Sequence, residues 1–269
     1  MVGQKDLMKV IDTQITKNQF PRFCILVGSK GSQKTEMAKH IAKQLNALYV
    51  PIIDCKADSI KEVITNAYRV NSVTLYDIQD ADIMSLQSKN AMLKVTEEPP
   101  NKAYFLMSLE SLDNTLATIQ SRGTTYFMQH YSSEELIEYS EKYKYDEDEL
   151  KIVISICDNP GDIDLLHTYK PKEFYNFVEK VVGHIATSSG SNALKIAQNI
   201  KFKTTDTEGY DLSLFWKTVC TICSVHQYHK GLLITSNYLA LSSSKSINKS
   251  MLFDRWILDV RKEWADGSC

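Results

Sequence analysis

No run of about 18 apolar residues occurs in the 269-residue chain, so no membrane-spanning helix is expected. The opening Met1-Val-Gly-Gln-Lys-Asp6 lacks the apolar core of a secretion signal, and the expected setting is the cytoplasm, away from membranes. Charge of one sign is also missing. With a net charge of −2 the chain as a whole exerts no pull on nucleic acid, and lysines such as Lys39 and Lys43 read as solvated helix faces. The six cysteines are scattered. Cys220-Thr-Ile-Cys223 has a metal-like spacing, but no second cysteine pair or matching histidine pair completes a site. Residues i and i+3 share a helix face, so this pair reads as two small core residues rather than a metal site. Internal repeats are absent as well.

What is present is an ordinary globular composition, 43% hydrophobic and 24% charged, in a chain long enough for two or three domains. Met1–Asn18 carries Leu7, Val10, Ile11 and Ile15 at helical spacing. Phe23–Val27 is short and wholly apolar, as a strand buried on both faces of a parallel sheet requires. The pattern then predicts helices over Glu36–Leu45, Ser59–Val70 and Leu86–Thr96, alternating with strands over Tyr49–Ile53, Ser72–Ile78 and Tyr104–Leu109. Repeated strand–helix units imply an open parallel sheet with helices on both faces and sites at the carboxyl ends of its strands.

From about Tyr131 onward the strand signals stop. Ser132-Ser-Glu-Glu135 opens a helix with a serine cap and acids in the first turn. Glu147–Cys157 and Asp162–His167 follow, separated by the break Asp158-Asn-Pro-Gly161. Helical periodicity continues over Phe174–Ile185, Asn192–Ile200, Leu212–Tyr228 and Ile247–Trp264, with linkers at Thr187–Ser191 and Thr204–Gly209. The expected parts are an α/β domain over 1–130, a small helical lid over 131–170 and an all-helical module over 171–269.

Between the first strand and the next helix lies Gly28-Ser-Lys-Gly-Ser-Gln-Lys-Thr35, one residue away from the phosphate-binding pattern Gly-x-x-x-x-Gly-Lys-Ser/Thr. Gly28, Gly31, Ser32, Lys34 and Thr35 are candidate nucleotide-binding residues, Lys34 for the β/γ-phosphates and Thr35 for Mg²⁺. Position 33 is glutamine where the pattern has glycine. A positive φ there would be strained by the β-carbon, and the side chain could fill space meant for phosphate. Two readings stand: weak nucleotide binding, or a loop kept for its fold.

The stretches Asp80-Ala-Asp-Ile-Met84, Asn90-Ala-Met-Leu-Lys-Val-Thr-Glu-Glu-Pro-Pro100 and Ser121-Arg-Gly123 closely resemble the bacterial DNA polymerase III clamp loader family. In that family a helix ending Asn-Ala-Leu-Leu-Lys-x-Leu-Glu-Glu-Pro-Pro follows the metal-binding strand, and a Ser-Arg-Cys motif comes later. Val2-Gly-Gln4, Phe20-Pro21 and Ala38-x-x-Ile-Ala-Lys43 agree too, and the likeness covers roughly residues 1–170 and extends weakly into Phe174–Ile200. It implies a P-loop AAA+ parallel-sheet domain, the helical lid and a C-terminal all-helical collar that serves oligomerisation.

With Asn90 as anchor, the resemblance puts the family's metal-binding Asp at Gln79 and its catalytic Glu at Asp80, the last candidate cofactor-binding residue. Asp77 could be the metal ligand only in a register slipped by two; otherwise Asp77, Asp80 and Asp82 read as solvated strand-end carboxylates. The family's lid arginine has no counterpart in Asn159-Pro-Gly-Asp-Ile-Asp164. Gln33, Gln79 and this missing arginine together argue against efficient hydrolysis in cis, leaving ATP and Mg²⁺ weakly bound or absent.

Arg122 matches the family's arginine finger, which acts in trans on a neighbour's γ-phosphate, with Gly123 in place of cysteine as a looser mounting. A chain with a damaged site and an intact finger resembles the delta-prime subunit. Its implied partners are the other subunits of a hetero-pentameric clamp loader and, through the complex, the sliding clamp and primer–template DNA. Lys89 and Lys94 are candidate phosphate contacts on a helix that reads otherwise as a solvated face. The family's four-cysteine zinc module is missing after Leu45, so no zinc is expected. Two alternatives remain, an active gamma/tau-like ATPase subunit and a stand-alone AAA+ recombination or repair factor.

Overall fold

The structure, a computed structural model, describes residues 1–188, 190–203, 208–242 and 248–265. It divides into two compact units, Met1–Leu136 with Asn159–Gly161, and Ile137–Asp158 with Asp162–Cys269.

The first unit alternates helix and strand: α1 (Lys5–Thr16), β1 (Phe23–Val27), α2 (Lys34–Gln44), β2 (Leu48–Ile52), α3 (Ala57–Ala67), β3 (Thr74–Ile78), α4 (Leu86–Glu97), β4 (Ala103–Leu109), α5 (Ala117–Gln120) and β5 (Thr124–Phe127). The strands form one parallel sheet in the order β2-β3-β4-β1-β5. All five residues of β1 are buried. Phe23, Ile25 and Val27 pack on one face with Phe105, Met107 and Ile60, while Cys24 and Leu26 pack on the other with Met37 and Ile41 of α2 and Leu7 and Ile11 of α1. Each such large apolar side chain contributes roughly 1.5–3 kcal/mol on burial. β5 has no counterpart among the expected strands. Of Thr124–Phe127 only Tyr126 is buried, so this edge strand carries no two-faced apolar signal.

Helix α6 (Ser133–Ser140) begins with the expected serine cap: the Glu135 amide donates to Ser132 Oγ, and Glu135 reaches back to the Ser132 amide. Then come α7 (Glu147–Ile156), α8 (Pro160–Tyr169), α9 (Pro171–Thr187), α10 (Gly190–Gln198), α11 (Leu212–Val225), α12 (His229–Ser242) and α13 (Lys249–Ala265). The expected break at 158–161 is shorter than its sequence suggests, because Pro160 starts α8. The linker expected over Thr187–Ser191 shrinks because α10 starts at Gly190; residue 189, most of Thr204–Gly209, and Ile247 lie outside the described residues.

The core of the second unit is aromatic. Phe202, Phe215 and Phe253 meet edge to face, Trp256 meets Phe215 edge to face and stacks on Phe253, and Val178, Val182 and Ile185 of α9 are buried. Cys220 and Cys223 lie on α11, and burial pushes their thiols up to about 11 and about 12, as inert core residues would show. Among the described residues no group of three or more His, Cys, Asp or Glu could hold a metal ion, and no helix is long and apolar enough to cross a membrane.

Candidate functional site

The loop between β1 and α2 folds around its own lysine. Lys34, first residue of α2, donates from Nζ to the Gly28 carbonyl at 2.7 Å and the Ser29 carbonyl at 2.9 Å. The Ser32 amide and hydroxyl both donate to Ser29 O as well. At the loop's start the Gly28 amide bonds to Leu109 O at the end of β4, which fixes the loop to the sheet. Thr35 is half-buried in the first turn of α2.

Two backbone positions are left-handed, Gly31 at φ 84° and Gln33 at φ 64°. Gly31 is needed for space too. A β-carbon there would fall 2.4 Å from Asn159 Oδ1 and 2.8 Å from Gly161 Cα, and the Gly161 amide donates to Gly31 O at 3.1 Å. The strain expected at Gln33 is present. Tyr131 braces it, donating from its hydroxyl to Ser32 O at 3.0 Å and lying 3.5 Å from Gln33 Oε1. Tyr131 was not readable as a partner of the loop, since it lies far along the chain from it, whereas the resemblance points to the turn at 159–164.

The acidic side differs from expectation. Only Asp80 is an exposed strand-end carboxylate, in a left-handed turn at φ 48°. Asp77 is fully buried, accepting from Tyr49 Oη at 2.8 Å, Gln79 Nε2 at 3.1 Å and Ser108 Oγ at 3.3 Å. Burial lifts its pKa above the usual carboxylate range, against the pull of these bonds. Asp82 accepts from the Glu110 and Ser111 amides and from Asn114 Nδ2, holding the chain after β4. The reading of Asp77 as solvated is therefore corrected, and Asp82 is half-buried and held by three donors rather than free in solvent. Gln79 also donates to Tyr49 Oη at 3.1 Å, so its amide nitrogen faces a tyrosine and a buried carboxylate.

A nucleotide's phosphate has partial support here. Lys34 supplies charge and the start of α2 supplies a helix N-terminus. The metal side does not fit: position 79 has an uncharged amide engaged with Asp77 and Tyr49, and the turn at 159–161 brings no arginine.

Arg122 sits just after α5, on a turn closed by amide bonds from Arg122 and Gly123 to Ile119 O. The expected loose mounting at Gly123 is not found. A β-carbon there would lie 2.7 Å from the Phe23 ring, so the glycine is packed tightly on β1. The guanidinium faces Glu97, last residue of α4, with Nε at 2.9 Å and Nη2 at 2.6 Å from Oε1, and Nη1 donates to Thr118 O at 2.6 Å. Glu97 lies in the Glu-Glu-Pro-Pro run, yet nothing in the run marks it as the arginine's partner. Lys89 reaches Asn114 O, and Lys94 lies 5.9 Å from the Tyr68 ring centre.

Residues 51–132 match a protein family described as "DNA polymerase III, delta subunit", a span that holds Gln79, Asp80, Glu97 and Arg122. DNA polymerase III subunit gamma of Buchnera aphidicola subsp. Schizaphis graminum is 25% identical, over 57% of this chain and 52% of its own length. Subunit gamma/tau of Mycoplasma genitalium is 25% identical, over 55% and 31%, and subunit tau of Bacillus subtilis 23%, over 59% and 34%. The chain thus spans about half or less of these curated relatives. A solved DNA polymerase III gamma subunit-related protein of Thermotoga maritima superposes with TM-score 0.52 at 13% identity, covering 96% of this chain and 99% of that one. A RuvB variant of Thermotoga maritima gives 0.54 at 14%, covering 96% and 88%. These two likenesses show the fold, an α/β parallel-sheet module followed by helices.

Proposed function

The chain is related to the AAA+ subunits of the bacterial DNA polymerase III clamp loader, and we propose that it serves as a delta-prime-like member of that complex. In this reading it assembles with ATPase subunits into a hetero-pentamer in the cytoplasm and takes part in loading a sliding clamp onto primed DNA. Residues 1–130 form the AAA+ module, 131–170 the lid and 171–269 the collar. Arg122 stabilises charge developing on a neighbour's γ-phosphate, while this chain hydrolyses little or no ATP.

One pairing carries the reading: a half-exposed, oriented Arg122 in the same chain as a Gln79 amide that faces Asp77 and Tyr49. A nucleotide at this chain's own site would be held rather than turned over. On this chain's side Lys34 and the head of α2 would hold phosphate oxygens, and Thr35 alone would face the metal. The gamma/tau-like alternative draws on the retained Lys34 and Thr35 and on the printed names of the curated relatives.

Reconstituted complexes decide between them. An arginine finger is worth about 10³–10⁵ in rate at the site it serves. Arg122→Ala should therefore silence the neighbouring site, while Lys34→Ala in this chain leaves DNA-stimulated turnover unchanged. Turnover that falls with Lys34→Ala and ignores Arg122→Ala would establish the gamma/tau-like alternative instead.

A further inference from the structure

We propose that Glu97 is the positioning residue of the Arg122 finger, an inference that rests on the trans-acting role given to Arg122 above. An arginine side chain has several rotatable bonds, and fixing it at the moment of reaction costs freedom that a preorganised group has already lost. Here the backbone is fixed first. The turn after α5 bonds to Ile119 O, Gly123 is packed on Phe23, and Gln120 Nε2 donates to the Leu112 and Thr115 carbonyls. The side chain is fixed next. Glu97 Oε1 takes the edge formed by Nε and Nη2, and Thr118 O takes a hydrogen of Nη1.

A guanidinium has five N–H donors. With Nε turned to Glu97, each terminal nitrogen keeps a hydrogen for an incoming pair of oxygens, the fork that binds phosphate bidentately. Side-chain exposure is 33% for Arg122 and 53% for Glu97, so the fork is accessible and the pair is solvent-screened. A half-exposed pair of this kind is weak enough to orient the arginine without withholding it from a multiply charged phosphate. Glu97 and Arg122 lie at the ends of separate helical segments, α4 and α5, and only the fold brings them together.

The test is steady-state ATP turnover of the reconstituted complex, with the Arg122 Nε–H signal followed by NMR in the full chain. Glu97→Ala should lower kcat of the finger-dependent turnover about 3- to 10-fold, the scale of freeing one rotamer-rich side chain, with KM for ATP unchanged. Glu97→Gln keeps an acceptor for Nε and should restore most of the rate. Glu97→Ala should add nothing in an Arg122→Ala background, and in the single variant the Nε–H signal should lose its protection. Faster turnover in Glu97→Ala would overturn the proposal by making Glu97 an inhibitory latch. Equal losses with and without Arg122 would overturn it by making the effect structural. Parental turnover in Arg122→Ala itself fails the finger reading, a separate outcome visible before any Glu97 variant is made.

Discussion

At Gln33 the backbone is left-handed at φ 64°, a conformation about 1–2 kcal/mol uphill for a residue with a β-carbon. Glycine removes that strain but loses more freedom on folding, so Gln33→Gly should stabilise the chain by up to about 1 kcal/mol. Gln33→Ala keeps the β-carbon and should gain nothing. Thermal melts of the three proteins check this; equal melting of the glycine and alanine variants would mean that the Tyr131 bracing already relieves the strain. This much was legible, because a glycine-to-glutamine change inside a known loop pattern points directly at backbone geometry. Asp77 was not. An aspartate at a strand end reads as solvated, since carboxylates are rarely buried without partners. Its partners Tyr49 and Ser108 lie 28 and 31 positions away, beyond any local spacing.

At the scale of elements, strands and helices with two-sided or striped apolar patterns were readable, and those whose buried residues are small or few were not. Helix α12 is the clearest miss: it buries Gly231, Thr235 and Tyr238 and exposes Leu233, which conceals its helical period. Yet α12 holds a polar contact at the centre of the helical unit, where Trp256 Nε1 of α13 donates to Thr235 Oγ1 at 3.0 Å. Trp216 of α11 is equally buried, but its indole nitrogen has no partner among the described residues. The same substitution should therefore have unequal effects. Trp216→Phe relieves an unpaired buried donor worth about 1–3 kcal/mol as it loses volume, whereas Trp256→Phe loses both volume and a hydrogen bond. Urea unfolding should find Trp256→Phe the less stable by about 1–2 kcal/mol. Equal losses would show that packing alone decides at both sites.

For the whole molecule, two units with separate cores have no obligation to unfold together, and one carboxyl from each, buried Asp77 and half-exposed Asp164, responds to pH with opposite sign. In the first unit burial lifts Asp77, so its contribution favours folding at low pH and fades as pH rises through the folded value. In the second, burial also pushes Asp164 upward, but hydrogen bonds from Lys142, Tyr143 and Tyr139 outweigh it and hold the carboxyl below its usual range. A depressed folded pKa means stability that is fully present above the unfolded value of about 3.9 and lost as pH falls through the folded one. Asp164→Asn removes that contribution at every pH. The stability gap between parent and variant should then be widest near neutrality and narrow as pH falls below about 4. The molecule carries its own reporter for this. All three tryptophans, Trp216, Trp256 and Trp264, belong to the second unit, so their fluorescence follows that unit while circular dichroism follows both. Denaturant midpoints by fluorescence at a series of pH values should show the gap closing on the acid side. A gap that stays constant through that range would assign the loss to altered hydrogen bonding in the variant rather than to the charge on Asp164.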